Sequence, residues 1–346
     1  MQKIAAIIVS IDIKLLLAPF QGITDKTYRN AFARNLGGFD EMYTPFVSGV
    51  GKGSINPSKL RDLLPLEENV ITTVPQIISN KHEEILLFAK AMEENGFSHI
   101  NLNMGCPFSR IANKKRGCGI LPYPEEIQLL FDTVFKEISI ELSVKTRLGY
   151  KKPDEIIKAL EVFNDYPLKH IILHPRTGLQ IYSGDADPEA YSDLLSLSKH
   201  KLIYNGDVFN ISQFDKIKKI IPEQTDWMLG RGALMNPFLP SEIKGIIYSD
   251  DEKRIMLRNF HEELFHSIKD KVKSNAKLIG RMKAIWYYMS GVFDQGEKVF
   301  SKIKKSKESN DYFDAVDYAL SQSFSDYTKQ EDYFKNSLKH IGSLTS

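Results

Sequence analysis

The chain has 346 residues, 42% hydrophobic and 26% charged, values that exclude a fibrous or disordered class and allow a sizeable core. A formal net charge of +2 excludes a globally basic nucleic-acid binder, so any such contact must be local. Two cysteines, Cys106 and Cys118, are too few for a disulfide framework and suit free thiols in a reducing compartment. The first apolar run, Ile4 to Val9, is closed by Asp12 and Lys14 without a small-residue cleavage site, so it reads as a short strand rather than a signal peptide. No run reaches the roughly 18 apolar residues of a membrane-spanning helix. The expectation is a cytoplasmic protein with no membrane attachment.

From Leu15 onward, short β-rich runs alternate with longer helical stretches, the rhythm of a parallel sheet built from βα units. The predicted strands are Leu15 to Pro19, Phe39 to Thr44, Thr72 to Ile78, His99 to Asn103, Leu142 to Arg147, His170 to Pro175, Leu202 to Asp207 and Trp227 to Gly232. Between them the spacing predicts helices such as His82 to Glu94, Tyr123 to Lys136 and Asp154 to Phe163, the last two with proline at or near the first turn, where it is tolerated. Eight such units close a (β/α)8 TIM barrel, assigned here to residues 1–240. A doubly wound open sheet is the competing architecture, but no G-x-G-x-x-G follows the first strand.

After Pro240 the rhythm stops, and apolar and aromatic residues fall at helical spacing through Ile255 to Phe265 and Leu278 to Phe293. Residues 241–346 therefore read as an all-helical domain. It holds 18 basic against 16 acidic residues, so its basic character is local: Lys269, Lys271, Lys273, Lys277, Arg281 and Lys283 face only Asp270 in sequence. A solvated helix face is the ordinary reading of such a run.

Chemistry in a βα barrel sits at the C-terminal ends of the strands. Seven of the eight ends carry Pro19, Gln76, Asn103, Lys145, His174, Asn205, Asp207 and Arg231, a largely polar ring that purely structural strand ends would not need. Asn205, Gly206 and Asp207, with Gly230 and Arg231, lie after strands seven and eight, the usual barrel location for a phosphate. Lys145 and His174 occupy positions from which a cationic donor stabilises negative charge on a ring held over the mouth, such as that of a reduced flavin. Cys106 follows strand four in a turn framed by Gly105 and Pro107, and its thiol suits either a nucleophile or a general acid. Cys118, between two glycines, reads as a packing residue. Neither a Cys-His signature nor a C-x-x-C element is present, which argues against nucleophilic hydrolysis and against zinc; no metal is expected.

Six segments, LLLAPFQGITD (Leu15 to Asp25), NLNMGCP (Asn101 to Pro107), VKTRLG (Val144 to Gly149), HPRTGLQIYSGDAD (His174 to Asp187), YNGDV (Tyr204 to Val208) and LGRGALMNPFL (Leu229 to Leu239), together closely resemble the tRNA-dihydrouridine synthase family. The resemblance implies an FMN-bound barrel followed by a helical RNA-binding domain, reducing the C5=C6 bond of uridines in tRNA with NADPH as electron donor. It implies hydride delivery from flavin N5 to C6 and protonation of C5 by Cys106. By the same resemblance Pro19, Phe20 and Gln21 form the flavin-edge loop, and Gln76, Lys145 and His174 contact the isoalloxazine. Asn205, Gly206, Asp207, Gly230 and Arg231 grip the ribityl phosphate, and Asn103 and Arg176 contact substrate. The family more often has Met where this chain has Phe20. Once RNA is the implied substrate, Lys114, Lys115 and Arg116 become candidate phosphate contacts beside the entry, and the helical lysines join them. Trp286, Tyr287 and Tyr288 are read as core. A monomer is implied.

Two alternatives stay open: an FMN-barrel reductase of a free small-molecule enone or pyrimidine, and a non-catalytic RNA-binding protein that has kept the fold. The first has no need of the residues after Pro240. The second leaves Cys106, Lys145, His174 and Arg231 without a purpose.

Overall fold

The computed structural model describes residues 13–50 and 55–326; the run Ile4 to Val9, read above as a strand, lies outside them. The strands are β1 (Lys14–Leu17), β2 (Glu41–Tyr43), β3 (Thr73–Val74), β4 (Gln76–Ile77), β5 (His99–Met104), β6 (Glu141–Gly149), β7 (Ile171–Thr177), β8 (Leu202–Tyr204) and β9 (Asp226–Leu229). All neighbours pair in parallel, in the order β3-β2-β1-β9-β8-β7-β6-β5-β4. The ninth strand is no extra unit. β3 and β4 are halves of one segment split at Pro75, which has no N–H to give a ladder. The Val74 carbonyl accepts from the Thr44 N–H at 3.0 Å on one side, and the Pro75 carbonyl accepts from the Asn101 N–H at 2.9 Å on the other. That segment therefore links β2 to β5 and closes the ring, so the eight predicted strands form the (β/α)8 barrel. β8 and β9 end earlier than predicted, leaving Asn205 to Asp207 and Gly230 on loops.

Around the barrel run α1 (Lys26–Asn35), α2 (Pro57–Leu60), α3 (His82–Glu94), α4 (Ser109–Ala112), α5 (Pro124–Glu137), α6 (Glu155–Phe163), α7 (Pro188–Leu195), α8 (Ile211–Ile220), α9 (Arg231–Met235) and α10 (Leu239–Ile243). Three of them bury the same spacing: Ile85, Phe88, Ala89 and Met92 in α3, Ile127, Leu130, Phe131 and Val134 in α5, Ile156, Ala159, Leu160 and Phe163 in α6. That i, i+3, i+4, i+7 stripe lays one face of each helix on the outer face of the sheet. Asp25, Asp187 and Asn210 cap α1, α7 and α8 by accepting backbone N–H groups, bonds that satisfy the orphan donors of the first turn.

Side chains alternate along each strand, so every second residue points into the barrel. On one side the interior is apolar, with Leu16, Tyr43, Val74, Ile172, Ile203 and Met228 forming a small cluster of their own. On β5 and β6 the inward series is polar, His99, Asn101, Asn103 and Ser143, Lys145, Arg147, while Ile100, Leu102, Leu142 and Val144 face the helices. The polar wedge opens toward the C-terminal mouth.

Beyond the barrel lie α11 (Asp250–Lys269), α12 (Asn275–Met289), α13 (Gly296–Lys305) and α14 (Ser309–Leu320). α11 starts with a capping box of Ser249 and Glu252, a reciprocal pair that closes two first-turn donors. The packing does not stop at residue 240. Phe260 of α11 stands edge-on to Tyr28 and Phe32 of α1, with ring centroids 5.5 and 6.0 Å away, and one continuous apolar cluster holds residues of both regions. Trp286 is fully buried and donates to the Tyr312 hydroxyl at 3.0 Å, and Tyr288 is buried too, so both are packing residues, as read, while Tyr287 is half-buried against Phe300. No helix among the described residues is long and apolar enough to cross a membrane.

Candidate active site

The strand ends converge on one pocket at the mouth. It encloses about 1130 Å³ including its opening to solvent, and Pro19, Phe20, Gln21, Gln76, Asn103, Cys106, Lys145, His174, Asn205, Gly206, Asp207, Gly230 and Arg231 all line it. Thirteen positions spread over more than 200 residues of chain are thus brought together by the register of the barrel.

Lys145 faces inward from β6 between Ser143 and Arg147. Among the described residues its ammonium has no carboxylate partner. Burial, together with the charge of Arg147, pulls its pKa down to about 7. His174, one strand further, is driven well below its ordinary value by burial and then by the charges of Arg147, Arg176, Lys145 and Arg231. Arg176 Nη1 lies 3.0 Å from His174 Nε2; a guanidinium only donates, so Nε2 accepts and the ring proton sits on Nδ1. The sequence pattern suggested a cationic donor at this position. The structure makes it a neutral one, because four neighbouring cations and burial all oppose protonation.

The loops after β8 and β9 come together through backbone. A side chain on Gly232 would overlap the Val208 carbonyl, so only glycine lets these loops meet. Among the described residues Asp207 is the one carboxylate in the pocket wall. It accepts from Arg176 Nη1 at 2.9 Å and from Arg176 Nη2, from Arg231 Nη2 at 2.7 Å and from the Ala186 N–H at 2.9 Å. Burial alone would raise its pKa, but the Arg176 hydrogen bonds and charge, with Arg231, outweigh it and hold the carboxyl below the ordinary range. Its charge is spent on aligning Arg231. Arg176 is 1% exposed and does not line the pocket, bound instead to Asp207, to His174 and to the Gly184 carbonyl at 2.6 Å. Arg176, for which the resemblance implies a substrate contact, thus braces the wall from beneath.

Cys106 follows β5 and is 7% exposed. Burial pushes its thiol pKa up, against the smaller opposing pull of the Phe108 N–H and the Arg147 charge, so the thiol keeps its proton at neutral pH. Its loop is pinned from two sides. The Cys106 carbonyl accepts from the N–H and thiol of Cys118 at 3.2 and 3.4 Å, which gives the fully buried Cys118 a packing role. Gly117, at φ +57°, leaves no room for a side chain against the Cys106 carbonyl. Asn103 Oδ1 accepts from the Gly105 and Cys106 N–H groups at 3.0 and 2.9 Å. Asn103 reaches the pocket, yet most of its bonding capacity goes to this loop.

Phe20 stands with its ring centroid 5.4 Å from that of Tyr288, edge-on. The residue that departs from the family's usual Met is thus covered by a helix beyond the barrel. The same helix, α12, sends Arg281 to the Gly22 carbonyl, to the Ile23 carbonyl at 3.2 Å and to Asp25 Oδ2 at 2.6 Å.

Of the basic loop, Lys115 pairs with Glu126 and lies 4.1 Å over the Tyr123 ring, and Arg116 donates to Asn80 Oδ1 at 3.1 Å and pairs with Glu84. Lys114 is exposed without an ion pair among the described residues. A second groove shares Gln21 and Phe46 with the pocket and runs on past Lys26, Lys59, Arg61, Lys271 and Arg281, against Asp25, Asp62 and Glu68. Lys269, Lys273 and Lys277 are exposed nearby in chain, whereas Lys283 is tied to the Ser306 carbonyl at 2.5 Å.

Two polar residues of the pocket wall escaped the sequence reading, besides apolar ones such as Phe46 and Phe108. Arg147 lines the wall, donates to the Gly105, Thr177 and Ile181 carbonyls at 3.0, 2.9 and 2.9 Å, and was detectable as the next inward position after Lys145. Tyr182 lies 4.1 Å under the Arg231 guanidinium, turned inward after Ile181 at φ +51°; no local signal announces that turn. Among the described residues no cluster of three or more His, Cys, Asp or Glu side chains is placed to hold a metal ion.

The family model for dihydrouridine synthase (Dus) matches residues 16–336. A probable tRNA-dihydrouridine synthase of Rickettsia bellii is 27% identical over 242 residues, covering 69% of this chain and 73% of its own length. tRNA-dihydrouridine synthase B of Klebsiella pneumoniae is 24% identical over 310 residues, covering 85% of this chain and 93% of its own. A probable tRNA-dihydrouridine synthase of Helicobacter pylori is 30% identical over 240 residues, 66% of this chain and 70% of its own. With a barrel-mouth pocket that unites the strand-end residues around Cys106 and a family match spanning nearly the whole described chain, the protein belongs to the dihydrouridine synthase family.

Proposed function

We propose that the protein is an FMN- and NADPH-dependent reductase of uridine in tRNA, producing dihydrouridine. The observation that carries this reading is the pairing, in one pocket, of a protonated buried thiol with a wall that asks for anionic charge. Lys145, Arg147 and Arg231 line that wall with a single carboxylate among the described residues, Asp207, which Arg176 braces from behind, and the Lys145 ammonium has no carboxylate partner among them. A cofactor bearing a phosphate and a ring that becomes anionic on reduction answers both needs.

When bound, FMN supplies the hydride for C6 of the uracil ring. The backbone of Asn205, Gly206 and Gly230 with the Arg231 guanidinium would hold the phosphate. Lys145 and the Nδ1–H of His174 would donate toward negative charge on the ring system, and Gln76 with the Pro19, Phe20 and Gln21 loop would border it. Cys106 Sγ holds the proton that C5 takes, a role that burial suits because it keeps the thiol undissociated. A stacked base cannot enter this pocket, so the uridine must be flipped or unpaired on arrival. The groove past Lys59, Arg61, Lys271 and Arg281, with Lys114 and the exposed lysines around Lys277, would take the RNA backbone. Residues 241–346 act in this reading as an RNA-binding domain.

Purified protein should carry visible flavin absorption, and its reduced flavin should be reoxidised by uridine-containing tRNA lacking the modification. Cys106→Ala should keep the flavin and lose at least about two orders of magnitude in that reoxidation, the scale of a general acid. A protein unable to take up FMN sinks the proposal, and an unaffected Cys106→Ala removes the thiol from it. Truncation after Pro240 is a poor test against the free-substrate alternative, because it would uncover Tyr28, Phe32 and Phe20. Point changes on the exposed lysines separate the two readings instead.

A further inference from the structure

Between the barrel interior and the Cys106 loop runs a directed chain of buried side chains. Asn103 Nδ2 donates to Gln76 Oε1 at 2.8 Å, Gln76 Nε2 donates to Asn101 Oδ1 at 2.8 Å, and Asn101 Nδ2 donates to Ser143 Oγ at 2.7 Å. His99 Nε2 lies 2.7 Å from the same hydroxyl. At the other end, Asn103 Oδ1 receives the N–H groups of Gly105 and Cys106.

An amide side chain has nearly the same shape in its two flipped orientations, so only its partners decide which is adopted. The two loop N–H groups demand an acceptor and place Oδ1 of Asn103 toward them. Its NH₂ then demands an acceptor from Gln76, whose own NH₂ demands one from Asn101. Flipping any one member sets donor against donor among buried side chains, where an unmade hydrogen bond is costly. Asn101 is fully buried and does not line the pocket.

We propose that Asn101 is a positioning residue for the reaction: it locks Gln76, and through it Asn103, in the orientation that pins the Gly105–Cys106 backbone and aims the Cys106 thiol. The catalytic consequence rests on the acid role given to Cys106 above; the positioning itself does not. Asn101→Leu removes both hydrogen-bonding ends at similar volume, and Asn101→Ser is the smaller change should Leu prevent folding. Asn101→Asp keeps the acceptor for Gln76 while the Ser143 hydroxyl turns to donate, so it should rescue.

The test is the rate of iodoacetamide alkylation of Cys106 in cofactor-stripped protein, read by peptide mass, with the peptide of the fully buried Cys118 as an internal control. Alkylation should rise by at least about fivefold in Asn101→Leu or Asn101→Ser, as expected when a buried hydrogen-bond chain is broken, and stay at the wild-type rate in Asn101→Asp. In the loaded enzyme, kcat with tRNA should fall in the Leu variant with KM little changed. A folded Leu or Ser variant with unaltered alkylation overturns the proposal, as does an Asp variant as reactive as the Leu variant. If the alkylation pattern holds while the wild-type protein reduces no tRNA, the positioning stands and the uridine reading falls.

Discussion

Replacing Lys145 by Met should make the cofactor-free protein more stable and the holoprotein impossible to assemble well. Lys145 sits in the barrel interior with no carboxylate partner among the described residues, and burial, aided by Arg147, brings its pKa from 10.5 to about 7. At 1.36 kcal/mol per pH unit, holding that ammonium charged costs the folded chain on the order of 3–5 kcal/mol. The sign follows from proton counting. Between the folded pKa near 7 and the unfolded value near 10.5, the unfolded chain binds the proton and the folded chain does not, so stability rises with pH across that window. Met removes the ammonium at similar length, so its advantage should be largest at neutral pH and shrink by about 3 kcal/mol by about pH 9.5. Urea unfolding of both proteins, stripped of cofactor, at the two pH values measures this gap. Added FMN should then stabilise the wild type far more than the variant, since ligand binding to the folded state alone raises apparent stability. A Lys145→Met protein no more stable than wild type at neutral pH, or a gap indifferent to pH, would refute the idea that this lysine is held in wait for an anion.

Asp207→Ala leaves Arg176 and Arg231 without their shared carboxylate and should cost about 3–5 kcal/mol in thermal or urea unfolding, the scale of breaking a buried ion pair. Because the Asp207 carboxyl is held below its ordinary value of 3.8, its contribution is complete above that value and is lost as pH falls through the lower folded pKa. The variant should therefore lose stability at neutral pH and converge on wild type in acid. Phe260→Ala, at a fully buried site shared with Tyr28 and Phe32, should cost about 3–5 kcal/mol. Calorimetry should still show one transition, and separate melting of barrel and helices would contradict the shared core. Lys273→Glu combined with Lys277→Glu should weaken tRNA binding and flatten its log–log salt dependence by about two charges' worth, while NADPH still reduces the flavin. An unchanged salt slope would place the RNA elsewhere.

The barrel was legible because its signals are local and periodic. β-rich runs repeat eight times, helices such as α3, α5 and α6 carry an unbroken apolar stripe, and prolines mark helix starts. Even the interruption at Pro75 is written in the chain, since proline cannot extend a ladder. The pocket list was legible for the same reason: in a barrel, position along a strand decides which side chains meet at the mouth. Arg147 was within reach as the inward partner of Lys145. Tyr182 was not, because a left-handed Ile181 and a loop folded over Arg231 leave no periodic trace.

What the sequence by itself determined is therefore the set of elements and the strand-end residues that meet at the mouth. Which groups carry charge and which brace the wall was decided only in three dimensions. His174 became a neutral donor because it is buried and Arg147, Arg176, Lys145 and Arg231 surround it, and Arg176 lies below the wall where Asp207 holds it. Phe20 found its cover in Tyr288, far along the chain, so the helices beyond residue 240 belong to the pocket's support as well as to their own bundle. Protonation and orientation depend on burial and on neighbours distant in sequence, and those exist only once the ring has closed.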